Sequence, residues 1–429
     1  MASPKKRHGR IKDREAMKIG IVTLQLHTNY GGVLQAFALQ QALVRMGNDV
    51  EIIQLDEIIP APKGIMAVRK FLTRAFRRYV LHRGGIEIFR ERRINREFPV
   101  VGAEFIRFFR KYMNIRYISS FDEIGPSDYD VFIVGSDQVW RPKYNRNLMN
   151  SYLDFTWKDR GVCSVAAKKK EAHSDDARPQ GWDVRRIAYA VSFGSDDWEY
   201  NASETALASC LAGRFNALSF RELSGVENAG KYLGVASVAV SDPTFLLLAE
   251  DYLSIVEDNC CRIETPAETG LDLNDNGRVF EYILDRTKET LGRVHEIECR
   301  ISEVRSLDKH LEITRFLVTD PRGTDEVSAR VQPSIESWIA GISKASFVIT
   351  DSFHACVFSI LFHRPFVVIG NPSRGLSRIE WLLGQFGLTD RLVIESGAIP
   401  KEDIDWEKVD TKLSELRAEA FDFLNNNLR

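Results

Sequence analysis

The segment TDSFHA (350–355) places Thr350, Asp351, Ser352 and His354 between an apolar run and a helical pattern. A histidine at such a junction can give or take a proton near neutral pH, and Asp351 stands where it could fix the tautomer. The competing use is a helix start capped by Ser or Asp with an incidental histidine. No GxSxG elbow occurs in the chain, so a Ser-His-Asp hydrolase triad is not indicated. GSDQVW (135–140) carries Asp137 straight after another apolar run. A carboxylate there can orient or deprotonate a sugar hydroxyl, or else cap a following helix. In LSFRELSG (218–225), Arg221 and Glu222 end a third run; an arginine fork suits phosphate or carboxylate, and an internal Arg–Glu pair is the alternative. NPSRGLSRIEWLL (371–383) adds Asn371, Arg374 and Arg378, cations able to close over an anionic donor or solvated charges on one helix face. His363, one helix beyond His354, reads as structural.

These groups need elements that deliver them to one edge. KIGIVTLQ (18–25) is a buried-type strand, HTNYGG (27–32) a turn and VLQAFALQQALVRMG (33–47) a helix by its apolar spacing, with NDVEIIQL (48–55) completing a βαβ unit. Within that turn Asn29, Gly31, Gly32 and Gln35 form a glycine loop before a helix, a place where free backbone N–H groups can cradle an anion. The loop is neither GxGxxG nor a Walker sequence, and its glycines could serve backbone geometry alone. The runs at 128–140, 185–195 and 216–225 repeat the pattern of a strand ending in polar residues, and the carboxyl edge of an open parallel sheet is where ligands bind. SIESWIAGISKA (334–345), SFVITD (346–351), SFHACVFSILF (352–362) and PFVVIG (365–370) alternate helix and strand again, giving a second α/β domain. The stretch 160–185 reads as a surface insertion, and a junction lies within 245–278. The expected division is a disordered basic tail (1–16), a first domain (17–245), a second (246–400) and a closing amphipathic helix within 401–429.

Composition bounds the rest. The 429 residues are 44% hydrophobic and 28% charged with a formal net charge of −2, as in ordinary globular proteins of two or three domains. No uncharged apolar run is long enough for a membrane span. Cys163, Cys210, Cys260, Cys261, Cys299 and Cys356 show no CxxC or metal-ligand spacing, so reduced core thiols and a cytoplasmic location are expected, with no metal and no nucleic acid. Charge is uneven: residues 69–116 hold 14 Lys/Arg against 4 Glu, interleaved with aromatic residues, a pattern compatible with amphipathic helices on an anionic surface or with a solvated helical face.

In this order, NYGGVLQAFALQQAL (29–43), GSDQVW (135–140), SFG (192–194), SFRE.G (219–225), SDPTFLL (241–247), the long run 334–368 around ITDSFH, and Arg378 before WLL resemble the polysaccharide pyruvyl transferase family over about 18–400. The resemblance implies two Rossmann-like domains facing a central cleft, similar to the GT-B glycosyltransferases. It implies transfer of the enolpyruvyl unit of phosphoenolpyruvate to two hydroxyls of a sugar, with phosphate released and no redox cofactor needed. It carries Asp137, Arg221 and His354 as the central polar positions. Around them, Arg221, Ser352, Phe353, Arg378 and Asn371 are expected at the donor, and Asn29, Gly31, Gly32, Gln35, Gln138 and Trp140 at the acceptor or anion loop. An acceptor on a lipid diphosphate carrier at the inner face of a bacterial membrane would give 69–116 a peripheral membrane role. Two other readings stay open: a nucleotide-sugar glycosyltransferase on the same fold, and a catalytically silent scaffold of polysaccharide assembly.

Overall fold

A computed structural model describes residues 16–59, 62, 64–157, 181–259, 278–304, 312–370, 376–394 and 403–429. Apolar runs buried on both faces pair as parallel strands, because only layers of helix on each side can cover them. The first sheet contains β1 (Lys18–Val22), β2 (Asp49–Leu55), β3 (Ile115–Ile118), β4 (Val131–Val134), β5 (Arg185–Val191), β6 (Ala217–Phe220) and β7 (Val238–Ala239). All its pairs are parallel, in the order β3-β2-β1-β4-β5-β6-β7. This is the doubly wound Rossmann order, with the switch point between β1 and β4. The second sheet holds β8 (Val279–Tyr282), β9 (Ile313–Arg315), β10 (Phe347–Thr350), β11 (Phe366–Ile369) and β12 (Leu392–Val393), in the order β12-β11-β10-β8-β9. Its switch point lies between β8 and β10. Each sheet therefore offers one crevice at its carboxyl edge, and loops from both edges meet in one cleft.

The halves share a core. Tyr30, at the start of α1 (Tyr30–Arg45), is buried; its hydroxyl donates to the Pro333 carbonyl at 2.7 Å and its ring stacks on Trp338 with centroids 5.7 Å apart. One apolar cluster runs from Ile21 and Leu39 of the first half to Phe280, Trp338 and Phe358 of the second. The last helix, Trp406–Asn427, touches both halves: Arg417 Nε donates to the Phe245 carbonyl at 2.8 Å, while Trp406 stacks on His363. His363 also pairs with Asp410 at 2.7 Å.

The basic arm divides into inward and outward parts. Among α2 (Gly64–Tyr79), α3 (Arg90–Val101) and α4 (Ala103–Tyr112), α4 buries Phe105, Phe108 and Phe109 against α1 and the second half. Its Arg107 pairs with the buried Glu336 at 2.8 Å, and Arg93 of α3 holds Glu87 and Glu97. Those cations neutralise local carboxylates, and only α2 is left without a buried residue. No helix among the described residues is long and apolar enough to cross a membrane. Reduced thiols are found at Cys299 and Cys356, whereas Cys210 is disulfide-bonded to a partner outside the described residues. Sequence spacing misses such a bridge because it depends on spatial approach of the two Cα atoms. The tail 1–15, most of the expected insertion (158–180) and most of the junction (260–277) lie outside the described residues.

Candidate active site

At the exit of β4 the chain turns through Asp137, whose φ of 65° is left-handed and uncommon for a residue with a side chain. Asp137 bridges to Val191 at the end of β5, and no helix follows it, so the capping role does not arise. Such strain persists where surrounding contacts hold it. Here they are electrostatic. Arg221, leaving β6, donates from Nη2 to Asp137 Oδ1 at 3.2 Å and from Nη1 to Asp242 Oδ2 at 3.1 Å. Its Nε faces Glu222 Oε2 at 3.6 Å. The guanidinium sits over the Phe353 ring, with Cζ 4.7 Å from the ring centroid. Asp242, leaving β7, is fixed by Thr244, which donates to Oδ1 from its backbone at 3.1 Å and its hydroxyl at 2.8 Å.

His354 enters this cluster from the second sheet. Ser352 caps the helix Phe353–Leu361 by accepting from the Ala355 N–H, and the imidazole projects from the first turn. Its Nε2 stands 3.7 Å from Asp242 Oδ2, beyond hydrogen-bond reach, and has no other partner among the described residues. Its Nδ1 side lies against Gly31, where an added Cβ would be 2.0 Å from Nδ1. The carboxylate facing His354 is thus Asp242, while Asp351 accepts from the Leu284 and Asp285 N–H groups at 2.7 and 2.8 Å.

Burial and charge set the protonation states. Burial raises the Asp137 carboxyl, but Arg221, His354 and Arg378 together hold it below the usual carboxylate range. His354 is lowered below an ordinary imidazole, first by burial and further by Arg221, with Asp242 opposing; it is neutral at pH 7. Burial raises Glu222, and Arg221 opposes it. Burial and the nearby Arg221 bring Arg378 down to about 10, so it remains charged.

On the other side of Asp137 a cleft of about 500 Å³ opens between the ends of β1, β2 and β4 and the loop 320–322 of the second half. His27, Gln138 and Arg146 face it from one half and Arg322 from the other. His27 Nδ1 has no hydrogen-bond partner among the described residues, and burial, reinforced by Arg322 and opposed by Asp137, pushes its pKa down to about 4.

The expected loop residues have divided roles. Asn29 caps α1 by accepting from the Gly32 N–H at 3.2 Å and borders the cleft. Gly31 makes room for His354, Gly32 borders Asn29, and buried Gln35 ties the Gly32 carbonyl to Thr23. Gln138 accepts from Arg141 at 2.9 Å and lines the cleft. Trp140 is fully buried, stacked on Tyr152 at 4.3 Å with its indole N–H on the Ser151 carbonyl, and it supports the Asp137 loop from within the core. Asn371 and Arg374 lie outside the described residues. Asp242, His27 and Arg322 were not singled out from sequence. SDP after a short strand was a usable signal for Asp242; the other two sit in turns with no distinguishing pattern.

A family model described as polysaccharide pyruvyl transferase matches residues 29–373, a span that includes Asp137, Arg221, Asp242 and His354. The chain belongs to that family. It is therefore a transferase by family, and the match takes in the whole buried cluster while stopping short of Arg378. A search of curated proteins returns no match. Similar solved structures include a putative UDP-N-acetylglucosamine 2-epimerase from Listeria monocytogenes, at 11% identity over 96% of this chain and 89% of that one, with a TM-score of 0.45. The UDP-GlcNAc 2-epimerase of Neisseria meningitidis bound to UDP-GlcNAc gives 10%, 95%, 93% and 0.42. UGT89C1 of Arabidopsis thaliana complexed with UDP-L-rhamnose gives 11%, 95%, 94% and 0.41. Likeness at this level carries no argument about activity, and the two-domain architecture stands on the sheet orders and shared cleft described above.

Proposed function

We propose that this transferase moves the enolpyruvyl unit of phosphoenolpyruvate onto two hydroxyls of one sugar, forming a cyclic ketal and releasing phosphate. The observation that carries the reading is the cluster Asp137–Arg221–Asp242–His354, assembled from the carboxyl edges of both sheets. The reaction has no net proton change. Of the two hydroxyl protons, one ends on the methylene carbon, which becomes a methyl group, and the other on the departing phosphate. A single imidazole that is neutral at rest suits that exchange, because it can accept a hydroxyl proton and return it to carbon. Attack of the first hydroxyl oxygen on C2 accompanies that protonation. The C–O bond to phosphate then breaks as the second hydroxyl closes the ring. Asp137, held ionised, orients the acceptor hydroxyls where the cluster meets the cleft. The donor's carboxylate and phosphate draw on the cations of Arg221 and Arg378, and on His354 once protonated.

Phosphate release from phosphoenolpyruvate, followed across a panel of sugar acceptors, tests this reading. The wild-type chain should release phosphate with a matching acceptor, and His354→Ala should lose turnover by a factor of at least about 100. Turnover retained in His354→Ala would sink the proton-transfer assignment. A melting midpoint raised by a UDP- or CMP-sugar and untouched by phosphoenolpyruvate would replace the donor and make the chain a glycosyltransferase.

A further inference from the structure

Helix α2 presents its faces in reverse. Its polar side is turned to the protein: Lys70 and Arg74 reach the buried Glu91 of α3 at 2.9 and 2.7 Å, and Phe71 packs on Phe89. Its apolar side is turned to solvent. Ile65, Val68, Leu72, Phe76 and Tyr79, three or four residues apart, form one stripe with exposures of 88, 58, 65, 53 and 64%. Val80 and Leu81 extend it. A contiguous apolar stripe of this kind marks a surface that is covered in use.

Charge narrows what covers it. Residues 64–86 contain Arg69, Lys70, Arg74, Arg77, Arg78 and Arg83 with no Asp or Glu. Glu91 takes Lys70 and Arg74, while Arg69, Arg77, Arg78 and Arg83 flank the stripe with no carboxylate partner among the described residues. A second copy would oppose this row of cations with an identical row. An acidic lipid surface satisfies both features, taking the stripe below its headgroups and the arginines among them, with Tyr79 suited to the boundary. Ahead of the helix in sequence, Ile58 and Ile59 line the cleft wall, and Asn95 of α3 holds both backbone groups of Ile59 at 3.0 and 2.9 Å.

We propose that α2 is a membrane-surface helix that lays its Ile65–Tyr79 stripe into an anionic bilayer and sets the mouth of the cleft at the headgroup level. The assignment stands independently of the donor. Co-sedimentation of the full chain with phosphatidylglycerol-containing vesicles, against pure phosphatidylcholine vesicles, tests it. Binding is expected to the anionic vesicles only and to weaken as salt is raised. Arg69→Gln with Arg77→Gln should weaken it roughly 25-fold, at about fivefold per arginine. Leu72→Glu with Phe76→Glu should abolish it with the melting midpoint unchanged, since both side chains are exposed. Equal sedimentation of wild type and the Leu72→Glu/Phe76→Glu variant, or no binding to anionic vesicles, would overturn the proposal. A lipid-free dimer that this variant converts to monomer would overturn it in favour of self-association.

Discussion

The two sides of Asp137 differ in kind. Behind it, Arg221, Asp242, Glu222 and His354 form a buried charge cluster in which the guanidinium is engaged by the protein itself. In front, His27, Gln138, Arg146 and Arg322 border an open cleft, and the His27 Nδ1 has no partner among the described residues. A buried ion pair adds little net stability, yet breaking one leaves an uncompensated charge. The closed side thus fixes geometry and the open side leaves polar capacity for a ligand.

The sharpest way to break this contrast is Arg221→Met, which strands Asp137 and Asp242. A loss of about 3–5 kcal/mol in denaturant unfolding is expected, together with loss of turnover; a loss below about 1 kcal/mol would mean that the cluster is not held as described. Next comes Gly31→Ala, whose methyl group would collide with the His354 ring. It should cost about 1–3 kcal/mol and lower turnover disproportionately, read by comparing unfolding midpoints with rates. The mildest is His27→Gln, which should leave stability at pH 7 nearly unchanged but alter its pH dependence. With a pKa of about 4 in the folded chain, against an ordinary imidazole near 6.5, the unfolded chain binds more protons between those values. Stability contributed by neutral His27 is therefore present above about pH 6.5 and lost progressively toward pH 4. His27→Gln should flatten the melting midpoint over that window; an unchanged slope would show that His27 is already solvated.

Much of the framework could be read from the chain alone, because β4 and β11 are uninterrupted apolar runs, and β10 is one up to Thr350, of the kind that a doubly covered parallel sheet accommodates. Asp137, Arg221 and His354 were visible for the same reason, standing just past such runs. Asp242 carries a weaker signal, an aspartate before Pro243 after a short strand, and in the structure it caps the short helical turn that Pro243 begins. Trp140, which the resemblance carries to the acceptor or anion loop, is instead fully buried and stacked on Tyr152, a placement that only three-dimensional packing shows. The arm at 69–116 illustrates a further limit. Alpha2 and α4 share basic and aromatic residues, but the buried Glu91 draws Lys70 and Arg74 of α2 inward while Phe105 and Phe108 draw the apolar face of α4 inward. Composition carries no information about which carboxylate waits on the neighbouring element.

The core common to both halves bears on how such an enzyme can be rebuilt. With Tyr30 seated on Trp338 and Pro333, and the final helix reaching back to the Phe245 carbonyl, neither half has a finished surface of its own. On the proposed reaction, acceptor preference is therefore better exchanged between relatives as cleft loops, such as 144–147 and 320–322, than as whole domains, since a grafted domain would need its matching seam to remain folded.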